Sequence, residues 1–303
     1  MPSSAKLSKI IATSRPTFLI LTPCCLLPAI AFAVVEHIPI SYPHLLLIFI
    51  GALAAHISVN MFNEYGDFSS GLDFNTQRTA FSGGSGALPS SPKLATAVHI
   101  AAIVSLLITV VVGCYFIWLY GWGLLPIGLP GVLLVYFYTS KITHSPLLCL
   151  MAPGLAFGPL MICGAYYAVS GQYSLAVFGM SLMVFFLVNN LLLLNQFPDV
   201  KADADAGRRH LPILIGRKKS AWVYVAFLLA AYAALAASVW LSLLPAYSLL
   251  GLLTVLLAVP AAKMAVEYAD DIERLKPALA LNVMITLASP LLVAAGLFLK
   301  ALL

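Results

Sequence analysis

A chain of 303 residues has the length of two soluble domains, but 62% of it is hydrophobic and 9% charged, with a mean hydropathy of +1.00. That composition excludes a soluble core and marks a polytopic membrane protein. The net charge of +5 gives no argument for nucleic acid, because orientation in the membrane and the acidic clusters they flank account for the basic residues.

Apolar windows of bilayer length fall at roughly 16 to 35, 43 to 62, 94 to 114, 121 to 139, 147 to 169, 174 to 195, 220 to 240, 244 to 266 and 278 to 299. They predict nine spans and an all-α fold. The fourth window carries Pro126 and Pro130 and the fifth Pro153 and Pro159, breaks that a bundle tolerates when neighbouring groups satisfy the freed carbonyls. Of 16 lysines and arginines, 15 lie in the N-terminal tail or at connections after even-numbered spans, Lys300 being the exception. Ten of the 11 acids share that side, with Glu36 apart. The positive-inside rule then predicts an integral protein of a bacterial or archaeal cytoplasmic membrane, with its N-terminus and its charged chemistry facing the cytoplasm. The first window is of bilayer length and leads into no soluble domain, so it reads as a span rather than a cleaved signal peptide. Cys24, Cys25, Cys114, Cys149 and Cys163 all lie in apolar windows without ligand spacing and read as small buried hydrophobes rather than disulfides or zinc ligands.

At the N-terminus, Lys6, Lys9 and Arg15 are set among Leu7, Ile10 and Ile11, a basic amphipathic segment suited to anchoring on an anionic membrane surface. The second span ends in Asn60-Met-Phe-Asn63-Glu64-Tyr-Gly-Asp67, and Asp73 follows. Asn60, Asn63, Glu64 and Asp67 recur at intervals of three and four, so one helical face is polar and points into the bundle. The chain then passes Arg78 and the run from Ser82 to Gly86; such runs are usually flexible loops, although their backbone N–H groups also suit phosphate oxygens. The fourth span ends at Tyr136-Phe-Tyr138-Thr-Ser-Lys141, where Lys141 is either an anchor or a partner for an anionic ligand. Gly154, Gly158 and Gly164 in the fifth window suit close helix packing, the preferred reading, or room for a substrate.

The sixth window runs directly into Asn195-Gln-Phe-Pro-Asp199-Val-Lys-Ala-Asp203. Asn195, Asp199 and Asp203 are four apart, so on a continuous helix their oxygens converge on one face. Carboxylates held that close repel unless a cation or proton lies between them. The cluster repeats, 132 residues later, the four-residue step of Asn63 and Asp67, and two hard-cation sites of this kind predict a protein that grips a polyphosphate through metal ions. Both clusters end even-numbered spans, which suggests one domain over 1 to 303 made of two pseudo-repeats, about 16 to 140 and 147 to 266, plus a ninth helix. If the bundle closes into a ring, the clusters face each other across a central cavity. Asp199, Asp203 and Asp205 alternate with Lys201, Arg208 and Arg209, a mixture suited to two metals plus an anion. Arg217 to Lys219 read as anchors, and the charges from Glu267 to Lys276 as helix-surface ion pairs.

These residues resemble the UbiA superfamily of intramembrane prenyltransferases, whose two aspartate-rich signatures close the second and sixth of nine helices. Asn63-Glu-Tyr-Gly-Asp67 with Gly71-Leu-Asp73 is similar to the first signature and Asn195 to Asp203 to the second. Glu64 stands where Asp is commoner. The six-residue step to Asp73, the order Asp-x-x-x-Asp-x-x-x-Gly-x-Arg from Asp199 to Arg209, and the stretch from Gly164 to Gly171 resemble the branch that prenylates 1,4-dihydroxy-2-naphthoate in menaquinone synthesis. The resemblance implies nine helices in a ring-like bundle around a central cavity and transfer of an isoprenyl group from its diphosphate to an aromatic acceptor. In a naphthoate acceptor it also implies loss of the carboxyl group at the attacked carbon. Asn63, Asp67, Asp73, Asn195, Asp199 and Asp203 would hold Mg²⁺, with Glu64 a weaker candidate, while Arg78, Lys141, Arg208 or Arg209 neutralise the diphosphate. The partners expected are the isoprenyl diphosphate, the aromatic acceptor and the lipid bilayer, with no nucleic acid. A rival class is an ion-coupled transporter using intramembrane carboxylates; both clusters lie at helix ends on one face rather than at the midplane, which disfavours it. A CDP-alcohol phosphotransferase would carry a denser aspartate run with Asp-Gly and Ala-Arg, absent here.

Overall fold

The computed structural model describes residues 3–74 and 83–303 and, among them, contains helices and turns but no strand. The helices are α1 Ser3–Thr13, α2 Leu21–Val35, α3 Tyr42–Ser69, α4 Ala95–Tyr120 and α5 Leu125–Phe137. They continue as α6 Pro146–Ser170, α7 Leu175–Asn195, α8 Val200–Asp205, α9 Arg217–Trp240, α10 Ala246–Glu267 and α11 Ile272–Leu302. All nine predicted windows are helical, but only 7 of the helices among the described residues are long and apolar enough to cross a membrane. The two that fall short are the first and fourth windows. The 15-residue α2 begins only at Leu21, because Arg15 takes the left-handed φ of 52° ahead of Pro16 and residues 16–20 form turns. The fourth is cut by Gly121 at φ +83° and starts its α-turns at Leu125, with Pro126 in the first turn.

Successive helices pack side by side: α3 on α4, α6 on α7, α7 on α9, α9 on α10 and α10 on α11. The last helix, α11, lies along α2, and α2 also contacts α3 and the second half of α6, so the two ends of the circuit meet. Burial follows composition. The α7 window is 72% buried, whereas the window of the helix through Tyr120 is only 11% buried, as expected of a central and a peripheral helix.

Close approaches occur where the sequence removes side chains. A Cβ on Gly154 would lie 2.1 Å from the Phe185 carbonyl oxygen and one on Gly158 2.8 Å from the Phe185 nitrogen, so both glycines let α6 rest on the α7 backbone, in the packing role expected of them. Pro153 precedes and Pro159 lies within a π-helical turn, Ala156–Leu160, in the middle of α6. Deep in the bundle the Asn190 amide donates to the Tyr224 carbonyl at 2.8 Å and the Asn282 amide to the Asn190 carbonyl at 3.0 Å, tying α7, α9 and α11 together by bonds that hydrocarbon cannot replace.

Candidate functional site

The helix α3 continues past its predicted end near 62 to Ser69, which carries the first cluster on regular helix. His56, Asn60, Asn63 and Asp67 share its inner face by their three- and four-residue steps and line a cavity of about 410 Å³. Gly66 allows this end to close against the loop after α5, since a Cβ there would sit 2.6 Å from Thr139 Cγ2.

The second cluster is built differently from expectation. Asn195, Asp199 and Asp203 do not share one helix: α7 ends at Asn195 and α8 begins at Val200. Pro198 is the physical reason, because it has no N–H to donate and its ring would strike the Leu194 carbonyl of a continuing helix, a cost of about 3 kcal/mol. The turn is fixed by the wholly buried Phe197, whose carbonyl accepts from Arg217 Nε at 2.8 Å. Arg217 is therefore a cap on the turn as well as an anchor. Within α8 the regular pattern resumes with the Asp203 N–H donating to the Asp199 carbonyl at 2.9 Å.

Despite the break, Asn63, Asp67, Asp73, Asn195, Asp199 and Asp203 all line the same cavity. One guanidinium joins the two sets: Arg208 donates through Nη2 to Asp67 Oδ1 and through Nη1 to Asp203 Oδ1, the latter at 3.0 Å. Burial alone would lower the Arg208 pKa, but the Asp67 and Asp203 carboxylates raise it above its ordinary value, so the group stays charged at any working pH. The other Asp203 oxygen accepts from, or pairs with, His210 Nε2 at 2.8 Å. His210 is buried and lines the cavity.

Of the other cations expected at the site, Lys141 and Arg209 are exposed and absent from the cavity wall. They end on the outer side of the turns that carry them; the Arg209 backbone N–H is spent on the Thr143 carbonyl at 3.1 Å. Arg78 lies outside the described residues, as does Ser82. The structure supplies Arg15 instead. Its Nη2 donates to Asn63 Oδ1 at 3.1 Å and its Nε to Glu64 Oε1 at 2.8 Å. A left-handed φ on a non-glycine residue is the kind of local strain found where a site requires it. The sequence showed Arg15 only as one basic residue of an anchoring tail, and no spacing links it to residues 48 and 49 positions further on.

Glu64 is not a cavity ligand. It is 0% exposed, and its carboxylate accepts from Arg15 Nε, from the Ser85 N–H at 2.8 Å and from Ser85 Oγ at 2.6 Å. The side chain lies off the Asn63–Asp67 face and is absent from the wall, so it fastens the N-terminal segment and the glycine-rich run to α3. Gly84, at φ +70°, fits where a Cβ would come within 3.1 Å of Asp73 Oδ1 and 3.2 Å of Glu64 Oε1, and it too lines the cavity with Gly83.

The wall at this end holds four carboxylates, Asp67, Asp73, Asp199 and Asp203, against the guanidiniums of Arg15 and Arg208. Such an excess of negative charge attracts cations and repels a bare polyanion. The donors are hard oxygens, and buried Asn195 Oδ1 accepts no hydrogen bond from the described residues, so the set fits Mg²⁺ held by a few side chains with water and phosphate completing the octahedron. Among the described residues no three His, Cys, Asp or Glu side chains are close enough to cage an ion alone.

Away from these groups the wall is mostly apolar, with His56, Thr109 and Tyr138 among its polar side chains. Ile48 and Asp67 both line it, and the 19 helical steps from one to the other on α3 correspond to about 28 Å of helix, close to the hydrocarbon thickness of a bilayer.

Comparison with known proteins gives the family and the fold. The profile of the UbiA prenyltransferase family matches residues 23–299. The 1,4-dihydroxy-2-naphthoate octaprenyltransferase of Bacillus subtilis (strain 168) is 29% identical over 195 residues, which cover 62% of this chain and 61% of the relative's own length. Among solved structures, a UbiA homologue from Aeropyrum pernix K1 superposes with a TM-score of 0.69 at 20% identity, over 93% of this chain and 98% of that one. A homologue from Archaeoglobus fulgidus, bound to DMAPP and Mg²⁺, gives 0.61 at 13% identity, over 95% and 99%. At these identities the structures establish the common fold.

Proposed function

Since the chain belongs to the UbiA prenyltransferase family, we propose that it transfers an isoprenyl group from an isoprenyl diphosphate to an aromatic acceptor of the 1,4-dihydroxy-2-naphthoate class, releasing diphosphate. The observation that carries this reading is the bridge from Asp67 through Arg208 to Asp203 at the polar end of one long apolar cavity. A transporter site at the midplane would have no use for that placement. The distribution of the basic residues supports the reading that this end faces the cytoplasm.

Asp67, Asp73, Asp199 and Asp203, with Asn63 and Asn195, would hold Mg²⁺ against the diphosphate. Bound Mg²⁺ supplies Lewis-acid stabilisation of the departing diphosphate charge. Arg208 and Arg15 donate to phosphate oxygens, and their strongest hydrogen bonds form as negative charge gathers there. The allylic C–O bond breaks with its electron pair leaving on diphosphate, a ring carbon of the acceptor donates the pair for the new C–C bond, and the ring then loses a proton or, from a carboxylated carbon, carbon dioxide. Four of the chain's 29 phenylalanines and tyrosines, Phe18, Phe116, Tyr138 and Phe157, line the cavity, and their faces stabilise the allylic cation. The apolar wall excludes the water that would otherwise trap it.

Membranes containing the protein, given labelled geranylgeranyl diphosphate and a panel of hydroxylated aromatic acceptors, should form a product that requires magnesium and disappears with a chelator. Uptake of a solute driven by protons or sodium, with no prenylated product, would replace this reading with the transporter.

A further inference from the structure

At the diphosphate end, one face of α1 is left apolar and exposed, and no step above uses it. The helix packs its inner side on the bundle, where Ile10 rests against the cluster that includes Met61, Phe62, Val98 and Ala102, and Lys9 Nζ donates to the Ser90 and Ser91 hydroxyls. Leu7 and Ile11 lie on the outer side. They are four residues apart, hence on one face, and 59% and 49% exposed. A helix of 11 residues is too short to persist in water on propensity alone, so its order depends on the surfaces that cover it.

The level at which α1 lies identifies the outer surface. Val98 and Ala102, beside Ile10, belong to the first two turns of α4, where a helix of membrane-spanning length and hydropathy begins. Its outward Ile100, Val104 and Leu107 are exposed, as lipid-facing residues are. Thus α1 sits where hydrocarbon gives way to lipid headgroups. Lys6 adjoins Leu7, and Lys93 stands just ahead of α4, both exposed. An apolar pair flanked by lysines on a short helix is matched to an anionic lipid surface, which takes up the side chains and attracts the charges.

The placement of α1 also sets Arg15. Buried Thr13 ends the helix, and the Ser14 carbonyl accepts from Asn60 Nδ2 at 2.9 Å. Left-handed Arg15 comes next, two residues past the helix, a reach of at most about 7 Å. Its guanidinium holds Asn63 and Glu64, so a shift of α1 reaches the cavity wall through a connection too short to absorb it.

We propose that α1 is an in-plane helix that docks on anionic lipid headgroups through Leu7, Ile11 and Lys6, and that docking holds Arg15 at the diphosphate end. Lipid composition then governs affinity for the diphosphate. The coupling to Arg15 rests on the prenyl-transfer reading, and the docking does not.

The test places the full-length protein in nanodiscs of phosphatidylcholine with or without phosphatidylglycerol. Hydrogen exchange of the α1 amides and the KM for geranylgeranyl diphosphate are read on the same discs. Wild type should exchange more slowly over α1 on the anionic discs and show a KM roughly fivefold lower there, the scale of one lysine's attraction to such a surface. Added salt should shrink both differences, a check that needs no variant. Lys6→Gln should lose most of the anionic preference, and Leu7→Ser combined with Ile11→Ser should exchange fast and keep the weaker KM on both discs. Equal exchange of wild-type α1 on the two discs, or an anionic gain that the Leu7 and Ile11 double variant retains, would overturn the docking. Lipid-dependent exchange with an unchanged KM would overturn the coupling to Arg15. Wild type that forms no prenylated product, with α1 still protected on anionic discs alone, would overturn the function proposed above and leave the docking standing.

Discussion

Asn63 and Asp67 sit on an uninterrupted helix, whereas Asn195 and Asp199 flank a break, although both pairs are spaced by four residues. The first cluster converges because helical geometry alone puts its oxygens on one face. The second converges because a proline-imposed turn, fixed by Phe197 and Arg217, redirects the chain so that Asp199, Asp203 and Arg208 come back over the same cavity. Identical spacing thus reaches the same place through local regularity in one case and through tertiary packing in the other. The first cluster should respond mainly to changes in its own side chains, and the second also to changes in the turn that aims it.

The largest expected effect is common to both clusters. Asp67→Asn or Asp199→Asn should lower turnover at least about 100-fold in protein that remains folded, as loss of a charge-stabilising group at such sites does; steady-state rates in detergent measure it, and wild-type rates in both variants would remove the metal assignment. Next comes the link between them. Arg208→Gln should slow turnover roughly 10- to 100-fold and weaken diphosphate binding, since it removes a charged donor and leaves Asp67 and Asp203 facing each other without it.

Glu64 separates role from sequence position most sharply. It lies between Asn63 and Asp67, yet Glu64→Gln is expected to lower thermal stability by roughly 3 kcal/mol, the scale of a broken buried ion pair, with turnover reduced less than about tenfold. Unfolding in detergent alongside the rate distinguishes this from Asp67→Asn, and a 100-fold rate loss at unchanged stability would return Glu64 to the ligand set. The smallest effect is expected at Pro198→Ala. Removing the block stabilises a straight helix by about 3 kcal/mol, in competition with the buried Phe197 turn, so turnover should fall only a few-fold. A loss as large as that of Asp199→Asn would mean that the proline alone holds the second cluster in place.

The contrast explains what was legible beforehand. Hydropathy located the 7 described helices long and apolar enough to cross a membrane, because apolar runs of bilayer length have few other uses, but it overestimated the first and fourth windows, which hold shorter helices. There, Pro16 with the left-handed Arg15 and the Gly121 break shorten the regular helix, and window averages are blind to such breaks. The oxygen ligands were readable because they recur at helical steps. Arg15 and His210 were not, since each reaches the site through long-range packing or a loop. Lys141 and Arg209 show the converse, charge near the site in sequence but exposed and off its wall. Pro198, visible in the sequence, is incompatible with one regular helix through Asn195, Asp199 and Asp203.

Titrating an unreactive thiodiphosphate analogue of geranylgeranyl diphosphate into the purified protein, with and without Mg²⁺, asks whether the two clusters grip one ligand. Binding should require magnesium, fall at least about 30-fold in Asp67→Asn and in Asp199→Asn, and fall scarcely further in the double variant, because residues acting as one unit are not additive. Binding indifferent to magnesium, or losses in the two variants that simply multiply in the double, would contradict a single shared site.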